Sequence, residues 1–168
     1  MATAGHNLSE YNAEELSINP QWRFAILQAQ WNAEITDALA SGAKSVFSEL
    51  GFPEEQIEHF TVPGAVELTY GAKKLCQAEK YQAILAIGNV IQGETRHFDF
   101  VCESVTQGIT RLNLEYDTPV IFCVLTDNHI EQSRARSGGE HGNKGSEAAV
   151  AAIKMGALDY LEKPIDLD

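Results

Sequence analysis

Tyr81-Gln82-Ala83-Ile84-Leu85-Ala86-Ile87-Gly88-Asn89-Val90-Ile91-Gln92-Gly93-Glu94-Thr95-Arg96-His97 is the stretch from which the fold is read. Residues 81–87 are a short apolar run around Ile84, Leu85 and Ile87, bounded by polar and turn residues. A run without alternation predicts a strand buried on both faces of a parallel sheet. Beyond His97, the residues Phe98, Val101, Val105, Ile109, Leu112 and Tyr116 recur at intervals of three and four, the stripe of an amphipathic helix. Residues 88–97 then form a loop at the carboxyl end of a strand, where open α/β sheets bind ligands. The loop carries glycines for close backbone approach, a hydroxyl, a cation and an imidazole, which points to a small-molecule site.

The same alternation repeats on either side. Residues 22–29 predict a first strand with Trp31-Asn32 at its carboxyl end. Ile35, Leu39, Ala43, Val46, Phe47 and Leu50 give the apolar face of a helix stopped by Gly51. Residues 57–62 alternate, which predicts an edge strand, and Val62-Pro63-Gly64-Ala65 turns into a helix through Val66, Leu68, Tyr70, Ala72 and Leu75. Residues 119–125 predict the fourth strand, and Thr126-Asp127-Asn128 offers N-caps to a short polar helix over residues 131–136. Gly138-Gly139 breaks that helix, and Gly142-Asn143-Lys144-Gly145 is a hinge before the last one. The small side chains of the last helix, Ala148, Ala149, Ala151 and Ala152, allow close approach to the sheet or to another subunit. Residues 1–20 read as a flexible N-terminal arm ending at Pro20, and residues 21–168 as a single domain. Strands separated by helices imply right-handed βα units. The expected architecture is a three-layer α/β/α sandwich with a four-stranded parallel sheet and flavodoxin-like connections.

Composition narrows the function. Of the 168 residues 44% are hydrophobic and 21% charged, which is globular. Acidic residues outnumber basic ones 24 to 12, a net charge of −12 that argues against nucleic-acid or membrane partners. Any phosphate ligand therefore needs a local cationic pocket. Cys76, Cys102 and Cys123 are odd in number and widely spaced, as in buried thiols of a reducing compartment. A basic-then-apolar leader and an apolar run of spanning length are both missing from the sequence, so a cytoplasmic location is expected. No two histidines stand four residues apart, and no metal site is expected.

Chemistry recurs at all four strand ends: Trp31-Asn32, the stretch from Pro63 to Glu67, Gly93 to His97, and Thr126-Asp127. Each has two readings. Trp31 caps the core, or stacks on a planar ring whose edge Asn32 reads. Glu67 is a favourable charge in the first turn of a helix, or an acceptor for ligand hydroxyls. Gly93-Glu94-Thr95 entering a helix suits a phosphate, provided that Glu94 turns away. His97 is a surface histidine, or a proton-transfer group beside that phosphate. Arg134 and Arg136 solvate a short helix, or one of them reaches a phosphate. Lys144 is a second cation on a mobile segment.

These motifs, taken in order, resemble those of the lumazine synthase family (6,7-dimethyl-8-ribityllumazine synthase, riboflavin synthase beta chain). The resemblance lies in Trp31-Asn32, the stretch from Val62 to Glu67, Gly88 to Val101, and Asn128 to Arg136 leading to Gly142-Asn143-Lys144-Gly145. It implies a transferase that condenses 5-amino-6-(D-ribitylamino)uracil with (3S)-3,4-dihydroxy-2-butanone 4-phosphate, with no cofactor. It also implies that Trp31 stacks on the pyrimidine ring, with Val90 and Ile91 approaching the uracil. Ala65, Val66 and Glu67 would line the ribityl part, Glu94 and Thr95 belong to the phosphate loop, and His97 is catalytic. Phe122 and Arg136 match residues given by an adjacent subunit, with Lys144 near the same site. Val66 stands where an aromatic is frequent, Glu94 where Ala is, and Cys123 where Gly is. Implied partners are further copies, as pentamers, paired pentamers or a 60-subunit shell, and riboflavin synthase. The uninterrupted join from Arg136 to Gly142 favours the shell.

Overall fold

The computed structural model describes residues 7–160. Four strands, β1 (Phe24–Ala29), β2 (Ile57–Val62), β3 (Ala83–Ile91) and β4 (Val120–Asp127), form one sheet in the order β2-β1-β3-β4, all pairs parallel. Among the described residues five α-helices accompany them: α1 (Ala33–Glu49), α2 (Glu67–Cys76), α3 (His97–Glu115), α4 (Ile130–Arg136) and α5 (Lys144–Gly156). The expected three-layer sandwich is what forms. Every residue of β1 is buried, because β1 has a strand on each side and helices on both faces. At the sheet edge β2 keeps its alternation and is only half-buried, as its sequence predicts.

Two apolar cores sandwich the sheet. One joins Phe24, Ile26, Leu85 and Ile87 to Leu39 and Phe47 of α1 and Ala149 and Ile153 of α5. The Phe24 and Phe47 rings stack at 4.7 Å. The other core joins Leu27, Ile84 and Ala86 to Leu68 and Ala72 of α2 and Val105 and Ile109 of α3. The small residues of α5 serve close approach within the chain: a Cβ on Gly145 would collide with the Leu39 carbonyl of α1. Helix α1 stops as its sequence predicts. Gly51 has φ +82°, its N–H bonds the Ser48 carbonyl, and the Phe52 N–H bonds the Phe47 carbonyl. Cys76 and Cys123 are buried thiols whose pKa values burial pushes up to about 11 and about 12, whereas Cys102 is only partly buried.

Three local expectations are corrected. β3 does not end at Ile87 but runs to Ile91, with Val90 and Ile91 paired to Thr126 and Asp127. Those two residues belong to β4 rather than to a cap, and α4 starts after His129, whose side chain makes no capping bond. The glycines after α4 form an antiparallel ribbon, β5 (Ser137–Gly139) with β6 (Gly142–Asn143). Asn143 then caps α5 by accepting from the Gly145 N–H at 2.8 Å. The part of residues 1–20 that is described docks on this body. The Leu8 N–H bonds the His141 carbonyl, Ser9 Oγ accepts from the Asn143 N–H, Tyr11 bonds Glu49, and Leu16 joins the core.

Candidate active-site cleft

Sequence order reverses in the sheet between β1 and β3, and a crevice opens beyond their carboxyl ends. The cleft there has a volume of ≈ 390 Å³ and is lined from the segments after β1, β2 and β3. Trp31, Ala65, Val66, Val90 and Ile91 supply apolar wall, as do Phe98 and Val101 from α3; Asn32, Glu67, Thr95 and His97 supply polar groups. An apolar wall with few polar groups suits a small planar ligand bearing a polar edge.

Trp31 does not cap the core. It is 72% exposed at the cleft, so an indole face is open to a planar ring. Asn32 follows in the left-handed conformation, φ 57° and ψ 49°, which asparagine tolerates. Its carbonyl accepts from the Ile35 and Thr36 N–H groups and starts α1. Val66, 42% exposed, and Glu67 open α2 on the opposite side. The two glycines of the organising stretch differ. A Cβ on Gly88 would meet Leu68 at 3.0 Å, so Gly88 serves packing, whereas nothing lies within 4 Å of one on Gly93. Gly93 and Thr95 therefore present open backbone and a hydroxyl just before α3, whose N-terminus favours an anion. His97 is the first residue of α3 and exposed; its N–H bonds Thr95 Oγ1 at 3.4 Å. Glu94 is exposed and outside the lining.

The remaining candidates stand elsewhere. Phe122 lies on β4 opposite Ala86, packed on the α2–α3 side. Lys144 opens α5 and its Nζ bonds Glu147 at 2.6 Å. Arg136 ends α4, with a guanidinium bond to the Gln132 carbonyl at 3.0 Å. No Lys or Arg is among the described residues that line the cleft. Asp127 is buried and faces Ser133 instead of the cleft. The other described histidines are held by neighbours. His59 bonds Gln28 and Lys44, and burial first and Lys44 second lower its pKa. His129 pairs with Glu131 and His141 with Glu140. Among the described residues no group of three His, Cys, Asp or Glu side chains is arranged to hold a metal.

Sequence reading missed Asn89, which lines the cleft from inside β3, and gave Phe98 and Val101 only a packing role. The signal for Asn89 was a carboxamide beside an apolar run, in a segment taken for a loop.

Most of the chain is similar to known proteins. The family model described as 6,7-dimethyl-8-ribityllumazine synthase matches residues 21–159. A 6,7-dimethyl-8-ribityllumazine synthase of Christiangramia forsetii is 58% identical over 159 residues, 94% of this chain and 95% of the relative. Proteins of the same name from Flavobacterium johnsoniae and Parabacteroides distasonis are 55% and 48% identical, each over 92% of this chain and over 82% and 97% of their own length.

Proposed function

The chain belongs to the 6,7-dimethyl-8-ribityllumazine synthase family and is a transferase of riboflavin biosynthesis; from that premise we propose how its own residues divide the work. The reaction joins 5-amino-6-(D-ribitylamino)uracil to (3S)-3,4-dihydroxy-2-butanone 4-phosphate and releases phosphate and water. The uracil 5-amino group attacks the ketone and water leaves to give the imine. A proton then leaves C3 of the imine, to His97 or water, as the C–O bond to phosphate breaks with its electron pair on phosphate, and the C3–C4 enol so formed tautomerises to a C3 ketone. The ribitylamino nitrogen then closes the second ring with further loss of water. The amine is already nucleophilic, so the protein's work is orientation, anion stabilisation and modest proton transfer.

In this reading Trp31 stacks on the uracil, Asn32 reads its edge, and Val90 and Ile91 close on the ring. Ala65, Val66 and Glu67 line the ribityl chain. Thr95 and the Gly93–Glu94 backbone receive phosphate at the α3 N-terminus, and His97 moves protons beside it. The observation that carries the reading is Trp31, an indole 72% exposed at a strand-end cleft that also holds His97. Turnover of the two substrates, followed by formation of the lumazine, tests it. An intact chain that binds a ribityl compound without turning the pair over defeats it.

A dianionic phosphate in a cleft whose described lining holds no cation needs one from elsewhere. We propose that a second copy supplies it, with Arg136, Phe122 and Lys144 completing the neighbour's site. Pentamers built in this way assemble into a 60-subunit shell, with riboflavin synthase as an associated partner. The mass of the native assembly tests the shell. We assign residues 21–168 to the single domain and residues 1–20 to an N-terminal arm, whose described part is docked on that domain, in a cytoplasmic protein. Among the described residues no helix is long and apolar enough to cross a membrane.

A further inference from the structure

Asn32 belongs to the cleft, but what fixes its amide lies behind it. Asn32 Nδ2 donates to Asn89 Oδ1 at 2.9 Å and to the Asn89 backbone carbonyl at 3.3 Å. The pairing of β1 with β3 ends at Gln28 and Ile87, and beyond it the Asn32 side chain, not a β1 residue, meets that carbonyl. Asn89 Nδ2 donates to Ser133 Oγ at 2.9 Å, and Ser133 Oγ donates to Asp127 Oδ2 at 2.7 Å. Asn89, Ser133 and Asp127 are 2%, 0% and 8% exposed, so water does not compete for these bonds.

The chain has one sense. A carboxylate only accepts, so Ser133 gives its single proton to Asp127 and turns a lone pair to Asn89. Asn89 must then give its NH2 to Ser133 and its oxygen to Asn32. The Asn89 backbone carbonyl makes the same demand on Asn32 for an NH2. Asn32 Oδ1 is left as the amide atom with no donor among the described residues, on a residue that lines the cleft.

We propose that Asp127, Ser133 and Asn89 are positioning residues that lock the Asn32 amide with its oxygen toward the ligand, so that the cleft selects a ring edge carrying an N–H donor. The inference rests on the cleft being the uracil site.

A double-mutant cycle tests this in the assembled protein. It is read as KM for each substrate, kcat, and the dissociation constant of 6,7-dimethyl-8-ribityllumazine. Ser133→Ala should raise the uracil KM and the product dissociation constant about five- to tenfold, the worth of one oriented hydrogen bond, with kcat and the KM for the phosphate substrate within about twofold. Added to Asn32→Ala it should cause no further rise, and Ser133→Thr, which keeps the hydroxyl, should restore binding. Equal factors with and without Asn32 would overturn the proposal, as would a loss spread evenly over kcat and both KM values. If Ser133→Ala fails to assemble, Asp127→Leu, which keeps the branching of the side chain but removes the acceptor of the Ser133 proton, goes through the same cycle, and the same two results would overturn the proposal. A wild-type chain that neither turns over nor binds sinks the cleft assignment and the relay together; a working wild type with an additive cycle sinks the relay alone.

Discussion

Arg134 closes a two-point ion pair on Glu34, Nε to Oε1 at 2.8 Å and Nη2 to Oε2 at 3.0 Å, which joins α4 to the first turn of α1. The pair raises the pKa of Arg134 and lowers that of Glu34. A guanidinium whose fork already holds a carboxylate is poorly placed to hold a phosphate as well. Among the described residues Arg136, two residues on, bonds only the Gln132 carbonyl of its own helix. The two arginines should therefore separate in kinetics. Arg136→Ala should severely lower turnover and raise the KM for the phosphate substrate, while Arg134→Ala, which breaks an exposed pair, should leave both near wild type. Steady-state kinetics in each substrate, with assembly checked, decides between them; an unchanged Arg136→Ala removes the electrostatic proposal.

If Arg136 acts in a neighbour's cleft, two inactive proteins should repair one another. Trp31→Ala and Arg136→Ala chains, co-assembled, would form some clefts holding native Trp31 from one copy and native Arg136 from the next. Activity of the mixture should exceed that of either parent. A mixture that stays inactive after subunit exchange is verified would require Trp31 and Arg136 to act within one chain, or not at all.

Away from the cleft, Glu58 on β2 gathers Arg23 at 2.8 Å, Lys80 at 3.0 Å and the Tyr81 hydroxyl at 3.0 Å. The bond from Arg23 first, then those from Lys80 and Tyr81, hold the pKa of Glu58 at about 2 against an ordinary 4.5. A depressed folded pKa gives stability that is present above the unfolded value and is lost as pH falls from about 4.5 toward about 2. Urea midpoints at about pH 6 and about pH 3 should fall further for the wild type than for Glu58→Gln, which has no carboxylate to protonate. The charged partners are partly exposed, so the difference should be small and should shrink in salt. Parallel pH dependence in the two proteins would remove this role of Glu58.

Periodicity made the sheet, its edge strand and the main helices legible, because β1 to β4 and α1, α2, α3 and α5 each carry one dominant burial pattern. It failed where a polar residue is buried by a partner distant in sequence. Asn89 reads as a turn residue until Asn32 and Ser133 are seen to satisfy its amide inside β3. Ser133 reads as one more polar residue of a short helix, yet it is fully buried. The strand-end argument brought Trp31, Asn32, Ala65, Val66, Glu67, Gly93, Thr95 and His97 to one cleft but not Thr126-Asp127, while Val90 and Ile91, which also line it, were pointed to only by the family resemblance. Phe122, Arg136 and Lys144 lie outside the cleft's described lining, and the order of elements within one chain carries no information on whether a second copy would present them there.

His97 stands at the start of α3, exposed, with its backbone N–H on Thr95 Oγ1. The described side-chain bonds include no carboxylate partner that would orient its imidazole, in contrast to His129 and Glu131 at 3.0 Å. An exposed imidazole without such a partner can pass protons to water or substrate, but it lacks the fixed geometry that makes a strong general base. The nucleophile is a neutral amine that needs no deprotonation before attack, so the proposed role of His97 falls on later transfers, when water and phosphate leave. His97→Ala should therefore lose no more than the lower part of the usual ~10²–10⁴-fold range for general acid–base catalysis. Uracil binding should stay nearly normal, because Trp31 and Asn32 carry it, and Arg136→Ala should lose more activity than His97→Ala. Side-by-side kcat and KM values for the two variants test this ranking, and a His97→Ala enzyme more damaged than Arg136→Ala would make proton transfer, rather than anion stabilisation, the main contribution of the site.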